Sequence, residues 1–265
     1  MPRESDVEDV LNLVANRIDF LEFLDGDRVP KRTIADELDY SRSTVNRVIS
    51  ALADAELVDD APGGCQTTSV GSLLVDQYDD HVQTVTDVLA GHEVLASLSL
   101  EATLPLKVLA DAETSMASGP DPYEPYHAIE ALLDRAVGQV RVYVPTFSNP
   151  RGIRLARDLA TTLDLELVFD DELLEELRSD IPERMEELFE LEKFTGYRTT
   201  SGPEYTIFLV ATESGTAGAI VSHSPEGGLV GCLVTDNPTA IQWMERQYSE
   251  VKAESERLDT VLQSY

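Results

Sequence analysis

Pro30-Lys-Arg-Thr-Ile-Ala-Asp-Glu-Leu-Asp-Tyr-Ser-Arg-Ser-Thr-Val-Asn-Arg-Val-Ile-Ser-Ala-Leu52 holds two apolar patterns separated by a short polar break. Ile34, Ala35 and Leu38 recur at the spacing of one helix face. Asp39-Tyr40 reads as a tight connection, and Ser41 is a helix cap whose hydroxyl accepts a backbone N–H. Val45, Val48, Ile49 and Leu52 form the buried stripe of a second helix. Arg42, Ser43, Thr44, Asn46 and Arg47 fall mostly on its opposite side, near the N-terminus. A helix-turn-helix needs this arrangement: a small residue such as Ala35 where the helices cross, and exposed polar side chains early in the second helix.

Upstream, Val7, Val10, Leu11, Val14, Ile18, Leu21 and Phe23 predict an amphipathic helix over 7–24, ended by Asp25-Gly26-Asp27. Downstream, Leu57-Val58 predicts a short strand, Asp59 to Gly64 a turn, and Gln66 to Val70 a return strand. The two strands make a wing whose tip is expected to carry Asp59 and Asp60 and no cation. Wing contacts to DNA then fall to Gly63, Gly64, Gln66 or Thr67. Helices and hairpin in this order resemble the winged helix-turn-helix of many archaeal and bacterial regulators. "Ile-Ala-Asp-Glu-Leu … Ser-Arg-Ser-Thr-Val-Asn-Arg" is similar to the segment those families share, and the resemblance covers about the first 70 residues.

What that module would touch follows from side-chain chemistry. Arginine pairs bidentately with guanine and asparagine with adenine in the major groove, which singles out Arg42, Arg47 and Asn46. Ser41, Ser43 and Thr44 suit phosphate contacts, as do Lys31, Arg32 and Thr33 at the start of the first helix. Gly63 and Gly64 complete the expected DNA-binding set. The alternative is a winged-helix adaptor that docks a protein and no DNA.

Fifty acidic residues face 20 basic ones, of which four are lysine, and the net charge is −30. A fold so charged repels itself at ordinary ionic strength, whereas molar salt shortens the screening length to about 3 Å. Acids spread evenly along the chain fit a halophile's proteome better than an acidic tail does. Such charge opposes duplex binding in general. Yet no acid occurs between Tyr40 and Ala53, and Arg28, Lys31 and Arg32 lie just upstream: a basic island.

The chain of 265 residues predicts two domains and contains no apolar run long enough for a membrane span. An acidic start without an apolar segment gives no signal peptide, so a soluble cytoplasmic protein is expected. Cys65 and Cys232 share no metal-ligand spacing with the four histidines, so reduced thiols and no zinc are expected. The expected division is 1–72 as the winged helix-turn-helix, 73–118 as linker or dimerisation helices, and 119–265 as an α/β sensor domain. Leu73 to Leu89 is helical in pattern and either pairs two subunits into a homodimer or packs on its own sensor domain.

Beyond the loop at 117–122, the pattern runs helix (126–136), strand (139–145), helix (152–163), strand (165–169) and two short acidic helices. Strands at 205–212, 217–222 and 229–235 and a helix at 239–262 follow, an α/β layer pattern with a mixed sheet. "Val-Tyr-Val-Pro-Thr-Phe-Ser-Asn-Pro-Arg" and "Gly-Leu-Val-Gly-Cys-Leu-Val-Thr-Asp-Asn-Pro-Thr-Ala-Ile-Gln-Trp-Met-Glu" resemble the middle domain of an archaeal regulator family named for a methanogenesis regulatory protein. That resemblance spans roughly residues 120–260 and implies a sensor or assembly role without naming a ligand.

The same half is distantly similar to phospholipase D-like domains, whose chemistry needs a His and a Lys one residue apart. No His-x-Lys occurs; His223-Ser224-Pro225 lacks the lysine, and no enzyme or cofactor is expected. Thr146, Ser148, Asn149 and Arg151 leave a strand's carboxyl end and open a helix, where anions collect. They either line a pocket for a small anionic or polyhydroxy effector or merely cap that helix. The whole reads as a sequence-specific transcriptional regulator controlled by such an effector.

Overall fold

The expected helix over 7–24 is two helices, α1 (Glu4–Asn16) and α2 (Ile18–Phe23). Arg17 breaks them, with φ −136° and ψ 24°. Val14 on one side of that break and Phe20, Leu21 and Leu24 on the other all bury in one core. The computed structural model describes residues 4–98, 104–118, 121–146, 151–224 and 227–258.

Contacts divide the chain into two units, Met1–Val85 and Thr86–Tyr265. In the first, α3 (Lys31–Glu37) and α4 (Arg42–Asp54) form the helix pair. Asp39 turns the chain between them in the left-handed conformation (φ 55°), which Asp tolerates. Tyr40 anchors the turn, its ring 5.1 Å from that of Phe20 and its hydroxyl donating to Asp19 at 3.0 Å. Ile34, Val45, Val48, Ile49 and Leu52 close over Phe20, Leu21 and Leu24 as one core. Burying each such side chain stabilises the unit by about 1.5–3 kcal/mol.

The wing is β1 (Val58–Ala61) paired antiparallel with β2 (Gly64–Thr67). Its loop is therefore Pro62-Gly63, and Asp59 and Asp60 lie within a strand, not at the tip. The expected return strand ends at Thr67, because Ser69 already opens α5 (Ser69–Ala90). Val75 of α5 is buried in the first core, and Val88 packs against a core of the second unit.

The second unit follows α5 with α6 (His92–Ser97), a 3₁₀ turn (Leu106–Val108) and β3 (Glu113–Met116). Then come α7 (Glu124–Asp134), β4 (Ala136–Val144), α8 (Arg151–Ala160) and β5 (Asp164–Asp170). After α9 (Asp171–Asp180) and α10 (Pro182–Phe189), the strands are β6 (Phe194–Thr199), β7 (Thr206–Thr212), β8 (Gly215–His223) and β9 (Leu229–Thr235). α11 (Pro238–Ala253) and β10 (Glu256–Leu258) complete the described chain.

The strands form one mixed sheet in the order β10-β6-β5-β4-β7-β8-β9-β3. β4, β5 and β6 are parallel neighbours, and every other pairing is antiparallel. Each face is covered by helices. Val140, Val142 and Val144 pack with Ile129 of α7, Ile153 of α8 and Leu174 of α9. Tyr143, Ile207 and Leu209, on the other face, pack with Val94 of α6 and with Trp243, Met244 and Tyr248 of α11. Alternate residues of β4 thus serve opposite cores, as the two-residue period of a strand requires. The chain is α/β overall, with an α+β winged helix ahead of a mixed-sheet unit.

Candidate nucleic-acid interface and ligand pocket

Ser41 caps α4, its Oγ accepting the Thr44 backbone N–H at 3.1 Å and lying 2.8 Å from Thr44 Oγ1. Extended backbone at Ser41 (φ −63°, ψ 147°) starts the helix abruptly, which leaves its first turn open to solvent. Arg42, Ser43, Asn46 and Arg47 are exposed, while Val45, Val48, Ile49 and Leu52 are buried. Ser43, Asn46, Arg47 and Ser50 follow the three- and four-residue steps of one helix edge. No acid pairs with Arg42 or Arg47 among the described residues. Thr44, by contrast, is half-buried and engaged with Ser41.

The cations upstream of α4 are placed differently. Arg28 is ion-paired with Asp59 and donates to the Gly64 carbonyl at 3.1 Å. Lys31 Nζ lies 2.5 Å from Asp60 and holds that carboxyl below its ordinary range. Arg32, with Thr33 exposed beside it, faces Asp36 at 3.7 Å. The wing acids thus neutralise two bases of the basic island. Gly64 has φ 137°, and a Cβ there would meet the Val29 carbonyl carbon and oxygen at 2.7 Å. That close approach lets Val29 and Cys65 exchange backbone hydrogen bonds of 2.8 and 2.9 Å. Gly63 sits exposed at the loop. Burial pushes the Cys65 thiol up to about 11 and the Cys232 thiol up to about 12, so both stay protonated and unreactive near neutrality.

In the second unit the chain passes from β4 through α8 to β5 and then β6 on one side, and returns as β7 on the other. β4 is therefore where strand order reverses, and a crevice opens beyond its carboxyl end. A pocket of about 720 Å³ lies there. Val144 ends β4 in its wall, beside Gly152, Arg154 and Leu155 of α8. The antiparallel strands bring up Thr206 from the start of β7 and His223 from the end of β8, because Thr206 and Val221 are register partners. Tyr126 and Ile129 of α7 supply another side.

His223 Nε2 lies 2.8 Å from Thr206 Oγ1, while Nδ1 is buried with no hydrogen-bond partner among the described residues. Burial lowers the imidazole pKa to about 4; the Gly227 backbone favours the proton slightly but lies outside hydrogen-bond geometry. The ring is therefore neutral at pH 7.

Of the four residues expected from sequence to meet an effector, Thr146 is half-buried just after β4 and Arg151 is the first residue of α8. Ser148 and Asn149 lie outside the described residues. Sequence reasoning missed Thr206, Tyr123, Tyr126 and Phe208, and it weighed His223 only as a nucleophile. One signal was present: Thr206 and His223 are polar residues at the ends of two strands with apolar middles. Their convergence depends on an antiparallel register that the sequence does not display.

The family model for the middle domain of the methanogenesis regulatory protein FilR1 matches residues 122–254. A second, for the HVO_A0261 N-terminal domain, matches residues 5–89. Among solved structures the chain is similar to the archaeal chromatin protein TrmBL2, whose structure shows a novel mode of DNA binding. The identity is 12%, over 87% of this chain and 88% of that one, with a TM-score of 0.39. It is also similar to NucT from Helicobacter pylori, at 12% identity over 56% of this chain and 100% of that one, TM-score 0.42. Phosphatidylserine synthase from Haemophilus influenzae gives 12% over 58% and 41%, TM-score 0.42. These structural likenesses are too slight to carry activity across. No curated protein matches significantly.

Proposed function

The chain belongs to the family defined by the middle domain of the methanogenesis regulatory protein FilR1, and from that premise we propose that it is a sequence-specific DNA-binding transcriptional regulator. The observation that carries the proposal is the exposed edge of α4. Arg42, Asn46 and Arg47 stand on solvent with no acid against either arginine among the described residues, in a chain of net charge −30. Unpaired arginines cost such a protein nothing in local desolvation and offer base edges bidentate donors. Ser43 beside them suits phosphate.

Two further parts belong to the proposal. The second unit controls DNA affinity through a small-molecule effector, supported by the pocket at its strand-order reversal. Two subunits pair, supported by the exposed apolar residues Leu73, Val82, Val85 and Leu89 on α5. A two-fold pair matches the symmetry of operators. We also read the charge as that of a salt-rich cytoplasm. In such salt, counterion release contributes little, so base contacts and shape must supply most of the binding.

Fluorescence anisotropy in molar potassium chloride tests the central claim, with the gene's own upstream DNA and a scrambled duplex as control. Saturable binding that prefers the native duplex is expected. Equal or absent binding to both, with the protein folded, would replace the regulator with a protein-docking module.

A further inference from the structure

We propose that the pocket beyond β4 binds an uncharged aromatic molecule, held between tyrosine rings at its mouth and the paired Thr206 and His223 at its floor. The inference deepens the regulator reading and rests on it for one consequence only, that occupancy alters DNA affinity.

Size comes first. About 720 Å³ falls within the range of small-molecule sites and exceeds the voids of a packed core. Most of the wall is apolar, from Ile129, Val144, Leu155, Val221 and Leu229. Tyr123 and Tyr126 stand at the entrance with ring centroids 6.3 Å apart and planes tilted by 52°, and Phe208 lines the interior. Tyr123 is 56% exposed, a large ring left on solvent beside an apolar cavity. Rings so placed favour a flat apolar guest through offset or edge contacts.

Charge then narrows the class. An anion reaching the floor would need a cation there, since an unpaired buried charge is costly. Thr206 is 2% exposed and uncharged, and His223 stays neutral in its apolar surroundings. The charged groups lie at the mouth. Arg154 shares the lining with Glu130 and Asp158, the latter 3.8 Å from Arg157, and His127 is turned to Asp121 at 3.3 Å. Two carboxylates against one guanidinium leave this rim negative on balance, which disfavours a free anion. The floor still offers hydrogen bonding, because Thr206 Oγ1 keeps at least one acceptor lone pair beyond its contact with His223. A neutral ring bearing one polar group fits these constraints, and the anionic or polyhydroxy effector expected from the sequence does not.

Two probes that share a naphthylamine frame test the class: neutral N-phenyl-1-naphthylamine and its sulfonate, 8-anilino-1-naphthalenesulfonate, titrated by fluorescence into the full chain in molar potassium chloride. The neutral probe is expected to fill one saturable site per chain and the sulfonate to bind at least about tenfold more weakly. Leu155→Trp, which narrows the cavity from its wall, should weaken the neutral probe severalfold. Tyr123→Ala, at an exposed position that does not endanger folding, should weaken the neutral probe by about threefold to tenfold. The proposal is overturned if the neutral probe shows no saturable site or ignores both substitutions. It is also overturned if the sulfonate binds as tightly and depends on Arg154. DNA anisotropy on the same samples separates the two readings. Native DNA preference without probe binding leaves the regulator standing alone, and probe binding without DNA preference leaves the pocket standing alone. Probe binding that leaves DNA affinity unchanged supports the site and removes its role as a switch.

Discussion

The edge of α4 and the stretch from Arg28 to Lys31 that pairs with the wing are both basic in sequence, and they differ in what faces their cations. Arg42 and Arg47 meet solvent, whereas Arg28 and Lys31 are held by Asp59 and Asp60 from β1. Counting bases along the chain treats the four alike. Pairing separates them: an arginine with no acid at hand is available to a ligand, and a paired one must first give up its partner. The α4 edge thus stands open while the wing is tied down, with Gly64 fitted against Val29 to hold the hairpin in place.

Substitutions can break that contrast. Gly64→Ala should cost the fold most, roughly 2–4 kcal/mol, since its Cβ meets backbone at 2.7 Å in a left-handed conformation. A denaturant midpoint unchanged from wild type would show that this contact does not hold the wing. Arg47→Ala should leave stability within about 0.5 kcal/mol and weaken binding to native DNA by about 1–3 kcal/mol, tenfold or more. Anisotropy reads the second number, and an unaltered affinity would mean that α4 does not touch bases.

Asp59→Asn with Asp60→Asn should free Arg28 and Lys31 for phosphates. Affinity for any duplex then rises severalfold, and the slope of log affinity against log salt steepens by about one to two. No change in slope would show these cations to lie away from the DNA.

The smallest effect concerns acid. Lys31 keeps the Asp60 carboxyl below its usual range, so this pair stabilises the fold fully above the unfolded pKa of about 3.9. The stabilisation fades as pH falls through the folded value. The stability difference between wild type and Lys31→Ala, at most about 1 kcal/mol for so exposed a pair, should shrink below that pH. A difference that persists unchanged into acid would put its cause elsewhere.

The helix pair was legible because its evidence is local: Ile34, Ala35 and Leu38, then Val45, Val48, Ile49 and Leu52, repeat within a few residues. The wing's register was not. Asp59 and Asp60 look like turn residues until Arg28 and Lys31, some thirty positions earlier, are brought beside them. β3, β6 and β10 escaped for a related reason. Glu113-Thr-Ser-Met116 carries little strand pattern of its own and becomes a strand by pairing with β9. The terminal helix, expected to reach 262, stops at Ala253 so that Glu256–Leu258 can pair with β6; the last four of those positions lie outside the described residues. The strand-to-helix passage after Val144 stood out in the sequence, and Val144 lines a pocket of the structure. The character of that pocket did not stand out, since Tyr126, Thr206 and His223 come from three segments joined only by the fold.

One pairing also sets a timetable. Met116 of β3 meets Gly231 of β9, so an early strand waits for a partner synthesised more than a hundred residues later. At ordinary translation rates that interval is on the order of ten seconds. During it the strand is an unfinished edge that a neighbouring nascent chain could zip onto. Its composition, Glu-Thr-Ser-Met, offers such a neighbour a charge, two hydroxyls and little grease. The plainness that hid β3 from a pattern search is what keeps it harmless on the ribosome until β9 arrives.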